Sequence, residues 1–581
     1  MHLYQRFTDE ILKVVTLFQN QGVLPPDLSL EKITLEPPKD PSHGDLSTNV
    51  AMVLNKAAGK NPKELAQLFT DELLKHQDVE SVSIAGPGFI NLTLKPYCWL
   101  PALEEILKVG DTYGQSDMGQ GHLINLEYVS ANPTGPVHIG HCRGAIIGDV
   151  LANLLSKAGY KIIKEYYIND AGGQANELAR SSYIRYLEAL GEPVQELGAY
   201  GGDYLIPVGQ GLAKKFGDRF VGKEESEWLL DVRAFAIDMM IDRIKQDLKE
   251  LNIEHDVFFS ENAMIQSGKV QEAIDTLKAQ GLVYEGVLEK PKGQEVEDWE
   301  PRPQTLFKAS EFGDDMDRPL VKSDGSWTYF ASDIAYHLDK FKRGAKTLVN
   351  ILGADHGGYI KRISAGVTAI TQGQAHVHCL TCQMVRFIDQ GQVLKMSKRA
   401  GNFITVKDAI DKVGIDALRF IMVTRKNDAP LDFDFAAVIE QSKDNPVFYV
   451  QYAYARSQSI KRHALELIGE KNYSREILLA QDFTPLMQTE FLPILKLLNQ
   501  WPRQIEMAAR SFEPHRITYF LIELASEFHA LWNKGKDQTE LRFIDPENVT
   551  KTMSYMILIE ALASTLESGL KIIGIKPKEV M

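Results

Sequence analysis

The chain reads as a multidomain α/β protein. A small N-terminal α/β unit is followed by a parallel-sheet domain with a helical insertion, and then by a C-terminal all-α helical bundle. Three observations predict this. Strand, Pro- and Gly-rich turn, helix and strand follow one another from Gly121 to Ile168, an order that predicts a parallel sheet with its ligand at the strand C-termini. From about Asp428 onward the pattern is almost wholly helical, as in a bundle. The 581 residues also suffice for three to four domains of roughly 150 residues each.

The N-terminal unit spans residues 1–95. Helical periodicity runs through Phe7 to Val15, and a second helix follows Asn61 with Pro62 in its first turn. Ser81 to Leu94 alternates around the turn Gly86-Pro87-Gly88 and reads as strands. The parallel-sheet domain spans 96–427. Its first strand is His122 to Val129, broken by Asn132-Pro133-Thr134-Gly135-Pro136; a helix begins near His138, and the next strand is Lys161 to Ile168. The mostly helical stretch of about 175–304 is read as one insertion. Strand–helix alternation returns near Thr328 and at Thr347 to Gly353. The bundle takes 428–581.

Composition narrows the class. The chain is 44% hydrophobic and 24% charged, the balance of a soluble globular protein. No run of 18 apolar residues occurs, and the N-terminus lacks the pattern of a signal peptide, so no membrane association and a cytoplasmic location are expected. The four cysteines are too few for a disulfide scaffold. A net charge of −14 argues against wholesale nucleic-acid coating but leaves room for a local basic track.

Two short motifs carry the chemistry. Pro136-Val137-His138-Ile139-Gly140-His141 brings two imidazoles, three residues apart, to a helix start, where the dipole and free N–H groups favour anions. Gly140 leaves room for a flat ring or ribose to approach the backbone. Lys395-Met396-Ser397-Lys398, beside flanking glycines, offers two ammonium groups to a diphosphate leaving group. Alone, each also suits a surface helix start or a solvated basic turn. Together they describe an ATP site in which Pro136, His138, Gly140, His141, Lys395, Met396, Ser397 and Lys398 hold nucleotide. His138, His141, Lys395 and Lys398 would stabilise charge as a nucleophile attacks the α-phosphorus.

The sequence around these motifs resembles the arginyl-tRNA synthetases, a class I aminoacyl-tRNA synthetase family. Ser130 to His141 is similar to that family's histidine signature, and Lys395 to Arg399 to the class's lysine signature, with Arg399 where the pattern ends in Ser. His43 to Asn49 resembles an N-terminal-domain marker, Asp416-Ala417-Leu418-Arg419-Phe420 the marker preceding the C-terminal domain, and Asn445 to Ala453 the first bundle helix. The resemblance implies a Rossmann-like catalytic domain, an N-terminal domain touching the tRNA elbow, and a bundle that reads the anticodon. It implies arginine–tRNA ligation: L-arginine and ATP, with Mg2+, give arginyl-adenylate and pyrophosphate, and tRNA(Arg) then takes the arginyl group. It further implies that bound tRNA is needed for the first step and that the enzyme is a monomer.

A guanidinium has donors and no acceptor, so its pocket needs carboxylates and carbonyls. The family pattern places Glu127, Ser130, Asn132, Tyr329 and Asp333 there. Asp333 would meet the guanidinium and Tyr329 would shape the pocket, both on one face if a helix starts there. Glu127 and Asn132 would hold the backbone end of arginine. Gly353 to Gly358 would border the pocket through Asp355 or His356.

For tRNA, Tyr449, Tyr452 and Arg456 are spaced i, i+3, i+7 on one helix face and suit stacking on unpaired bases, although such tyrosines also suit a bundle core. Trp532 and Met581 complete this surface, and Tyr454 stands where the family has histidine. Phe89 and Asn91 are the elbow candidates. His376-Val377-His378-Cys379-Leu380-Thr381-Cys382 has metal-ligand residue types but lacks a second ligand pair. It is read as a buried strand, and no structural metal is expected. Two other readings are a small-molecule nucleotidyltransferase and a non-catalytic RNA-binding paralogue. The helical C-terminal third opposes the first, and the full set His138, His141, Lys395 and Lys398 opposes the second.

Overall fold

Local signals start the elements of the N-terminal unit. The helix Leu3–Asn20 buries Tyr4, Phe7, Ile11, Val15 and Phe18, the apolar stripe of an amphipathic helix. Asn61 caps Pro62–Leu73 by accepting from the Lys63 N–H. Both pack on an antiparallel sheet ordered Leu35–Glu36, Leu46–Thr48, Phe89–Leu94, Val79–Ala85. The computed structural model describes residues 2–193, 198–288, 302–394 and 404–581.

The catalytic unit is built on a five-stranded parallel sheet. Its order is His376–Cys382, Thr347–Gly353, Leu123–Glu127, Lys161–Ile168, Val257–Ser260. The first of these strands in chain order, Leu123–Glu127, is central, with neighbours on either side that leave in opposite senses. That makes its C-terminal end the crevice where such sheets bind ligands. The histidine-loop helix, Ile139–Lys157, packs on this sheet. Gly148 makes the fit possible, because a Cβ there would lie 2.2 Å from the Tyr128 ring.

The single insertion expected over 175–304 is corrected to two. Val257–Ser260 pairs in parallel with Glu165 to Ile168 and belongs to the main sheet. Before it lie the helices Gly173–Ala189, Ile206–Phe216 and Glu225–Glu250. After it come Lys269–Ala279 and a small antiparallel sheet of Val283–Gly286, Gln304–Phe307 and Arg318–Pro319. A strand of four residues leaves too little pattern to separate it from its helical neighbours. His376–Cys382 is likewise an edge strand, partly exposed rather than buried.

Leu431–Asp434 lies past the expected boundary at 427 but pairs with Val385–Asp389 of the catalytic unit. The bundle then begins with Pro446–Ile468 and continues through Leu492–Ser511, His515–Asp537 and Val549–Ile573. The last of these is buried almost all round, the signature of a central helix. Among the described residues no helix is long and apolar enough to cross a membrane.

Candidate functional site

The histidine loop leaves the sheet crevice through strained backbone. Val129 and Ser130 have φ of +69° and +37°, a conformation that costs a β-branched residue energy and that tends to mark functional turns. The Ser130 N–H returns to the Tyr128 carbonyl (3.0 Å), and the Ser130 hydroxyl donates to Glu127 (3.1 Å). Eight residues on, His138 caps the helix: its Nδ1 accepts from Gly140 N–H (3.1 Å), and its own N–H donates to His141 Nδ1 (3.3 Å). The two rings lie 3.9 Å apart. Gly140 is exposed, and a Cβ there would sit 2.9 Å from His138 Cε1.

Lys395, Met396, Ser397 and Lys398 lie outside the described residues. The chain on their C-terminal side is joined to the histidine loop: Ile139 N–H donates to the Ile404 carbonyl (3.0 Å), and His138 and Thr405 form a β-bridge. Buried Arg143 of the histidine helix donates to the carbonyl of Gln383 (2.8 Å), before the lysine loop, and to those of Lys426 (3.0 Å) and Ala429 (2.8 Å), after it. These bonds tie the histidine helix to the chain entering the paired strands Val385–Asp389 and Leu431–Asp434. Pro136 and Thr405 together border a cavity of about 530 Å3 against the inserted helices.

The carboxyl groups of Glu127, Asp333 and Glu261 cluster beside this loop. Thr328 caps Tyr329–Lys342, so a helix does start at Tyr329, and Tyr329 and Asp333 share a face. Tyr329 is exposed and Asp333 partly buried. Burial, reinforced by Glu127 and Glu261, pushes the Asp333 carboxyl up to about 7, against the lowering effect of the hydroxyl that Tyr359 donates to it. Glu127 receives the ammonium of fully buried Lys340 (2.6 Å), which also reaches Asn350 (3.2 Å). Asn132 donates to Gln174 (2.9 Å). His356 and Asp355 are both exposed on the turn Ala354–Tyr359.

Four residues here escaped the sequence reading: Lys340, Tyr359, Tyr167 and Glu261. Lys340 carried a usable signal, being seven residues beyond Asp333 on the same helix face. Glu261, whose carboxyl is also raised by burial, carried none. Among the described residues no group of three or more His, Cys, Asp or Glu is arranged to hold a metal.

In the bundle, Tyr449, Tyr452, Arg456 and Trp532 gather round His529. Arg456 lies over Tyr452 (4.4 Å) and Trp532 (5.1 Å) and contacts His529 Nδ1 at 2.8 Å. The Tyr449 and Tyr452 rings are 4.5 and 5.7 Å from the His529 ring. Tyr454 is core. Met581 is exposed at the end of a tail anchored through Gln451 and Arg462, which face away from Tyr449 and Arg456 on a helix of 3.6-residue period. Phe89 is exposed. Asn91 is corrected: it is 3% exposed on a strand flanked on both sides, with protein on both faces, so it is withdrawn as an RNA contact.

The chain is similar to known proteins along its whole length. Residues 1–94 match the family described as the arginyl tRNA synthetase N terminal domain, 102–438 the tRNA synthetases class I (R) catalytic domain, and 450–581 the DALR anticodon binding domain. The arginine–tRNA ligase of Ruegeria pomeroyi is 50% identical over 582 residues, covering 100% of both chains. That of Parvibaculum lavamentivorans is 51% identical over 583 residues, again covering 100% of each. The solved arginyl-tRNA synthetase of Thermus thermophilus aligns with a TM-score of 0.72 at 20% identity and 100% coverage of both, a likeness of fold.

Proposed function

Because the chain belongs to the arginyl-tRNA synthetase family and is an arginine–tRNA ligase of class I, we propose that the histidine loop and the acidic pocket divide its first reaction between them. ATP, as its Mg2+ complex, lies along the histidine loop. His138 and His141 meet the phosphates at the helix N-terminus, where charge on the non-bridging oxygens grows in the transition state. Lys395 and Lys398 take the departing pyrophosphate. Asp333 receives the guanidinium, with Tyr329 and Tyr359 beside it. Glu127, Ser130 and Asn132 orient the α-amino end so that the carboxylate faces the α-phosphorus. The terminal ribose hydroxyl of tRNA(Arg) then takes the arginyl group from the adenylate.

The observation that carries this reading is the junction of His138 and Ile139 with Ile404 and Thr405. It supports convergence of loops distant in sequence on one nucleotide, next to the pocket of Glu127 and Asp333. The face of Tyr449, Tyr452, Arg456 and Trp532 is proposed to stack on anticodon bases, with Phe89 at the elbow. A cytoplasmic monomer is the expected form. Full-length similarity to arginine–tRNA ligases gives no support to a small-molecule nucleotidyltransferase or a silent paralogue.

ATP–pyrophosphate exchange with each amino acid, with and without tRNA, tests the proposal. Exchange is expected with arginine alone among them, and only when tRNA is present. His138→Ala and His141→Ala are each expected to lower kcat by about a hundredfold while leaving the KM for arginine nearly unchanged. Exchange at the normal rate in either variant would remove the histidines from the chemistry.

A further inference from the structure

The backbone N–H groups of the histidine loop can be accounted for one by one. His138 donates to His141, Gly140 to His138, and His141 to the His138 carbonyl. Those bonds lie within the loop, so they fix its shape but not its place. Among the described residues, two further backbone N–H bonds reach outside the loop. One is Ile139 N–H to the Ile404 carbonyl. The other is Val137 N–H to Asp247 Oδ2 at 2.9 Å, across 110 residues of sequence.

Asp247 stands on the inserted helix Glu225–Glu250 and is 2% exposed. Its other oxygen accepts from Arg243 Nε at 2.9 Å. Arg243 also borders the cavity that touches Pro136 and Thr405. A carboxylate this buried is costly unless paired, and here both oxygens are engaged. The turn before Val137 contains Pro133 and Pro136, which have no N–H to anchor it. From the insertion side the loop is held at two points, the Thr134 carbonyl by the Tyr204 hydroxyl at 2.8 Å and the Val137 N–H by Asp247, and of these Val137 adjoins His138.

We propose that Asp247 is a positioning residue for arginine activation: from the inserted helix it sets the place of His138 and His141 by holding the Val137 N–H. The proposal rests on the reading that these histidines meet ATP. Asp247 touches no substrate itself. Its effect passes through a loop whose displacement by about 1 Å costs on the order of a hundredfold in rate.

The test is tRNA-dependent ATP–pyrophosphate exchange with Asp247→Ala, Asp247→Asn and Asp247→Glu, beside His138→Ala. Asp247→Ala is expected to lower kcat/KM for ATP by at least about tenfold, with the KM for arginine within about twofold. Asp247→Asn keeps an oxygen for the Val137 N–H and is expected to recover to within about threefold of the parent. Asp247→Glu keeps the charge but moves the acceptor by a methylene, and is expected to behave like alanine; it decides the matter if the alanine variant does not fold. Normal activity in the alanine or glutamate variant, asparagine as impaired as alanine, or arginine KM rising in step with ATP would each overturn the proposal. Inactive His138→Ala beside normal Asp247 variants defeats this inference alone. Active His138→Ala defeats the nucleotide reading beneath it.

Discussion

Under the proposal that Asp333 receives the guanidinium, it must be a carboxylate when arginine binds, yet burial holds its carboxyl up at about 7. A bound guanidinium favours the charged form, so binding must expel the proton. The KM for arginine should therefore rise as pH falls below about 7, approaching tenfold per unit, while the KM for ATP stays nearly flat. Glu261 is raised as well, so the profile belongs to the pair rather than to either residue. A level arginine profile between about pH 5.5 and 7.5 would contradict this. Asp333→Ala should abolish activation and leave tRNA binding intact, measured by filter retention. The stability sign is the reverse of the usual one for a carboxylate. The folded protein holds a proton that the unfolded chain releases, so stability is fully present below the ordinary carboxylate range and is lost as pH rises through about 7. Arginine, by binding only the folded form, offsets that loss.

At the scale of elements, Asn445 shows how one residue fixes where a helix begins. Its side-chain oxygen accepts from Val447 and Phe448 N–H (3.1 and 3.4 Å), and its amide donates to the Val438 and Glu440 carbonyls (3.0 and 2.8 Å). Asn445→Ala removes the cap and leaves carbonyls without their donor, so a loss of about 2–3 kcal/mol is expected in urea unfolding. Asn445→Asp keeps the cap but not the donors and should fall between. The start at Asn61-Pro62 was legible because capping is written in adjacent residues, whereas that at Asn445-Pro446 came from the family resemblance. The strand Lys161–Ile168 was legible from its own residues following Gly159. Val257–Ser260 was not, because its identity comes from pairing with a distant strand and not from its own four residues. The site divides likewise. His138 and His141 announce themselves by contiguity. Glu261, Tyr359, Lys340 and Asp247 come from separate elements, and each alone looks like an ordinary helix or turn residue. Asn91, offered as an elbow candidate, is instead buried on an inner strand of the N-terminal sheet.

At the scale of the whole molecule, the question is what lets three units act as one. Arg419 is 0% exposed and lies where the parallel-sheet unit meets the bundle. It donates to the carbonyl of Ile573 at the end of the last bundle helix (2.7 Å) and to that of Leu251 at the end of the inserted helix (2.6 Å). It also pairs with Asp149 on the histidine helix. Gly574 is required beside it, since a Cβ there would lie 2.3 Å from the guanidinium. A planar fork can serve three acceptors in different directions, and an ammonium on a flexible stem cannot. Arg419→Lys should therefore leave at least one carbonyl or the Asp149 carboxylate unpaired in a dry junction, a loss of about 3 kcal/mol or more. The damage should also change the form of unfolding. In calorimetry the bundle should separate from the catalytic unit, giving two transitions where the parent gives a more concerted one. Because the same guanidinium touches the histidine helix and the C-terminal end of the helix that carries Asp247, one turn beyond it, exchange activity should fall further than tRNA affinity in this variant. Unfolding that kept the parent's midpoint and shape would mean that the units are held together elsewhere, for instance through the Lys496–Asp45 and Arg503–Glu36 pairs that join the N-terminal unit to the bundle.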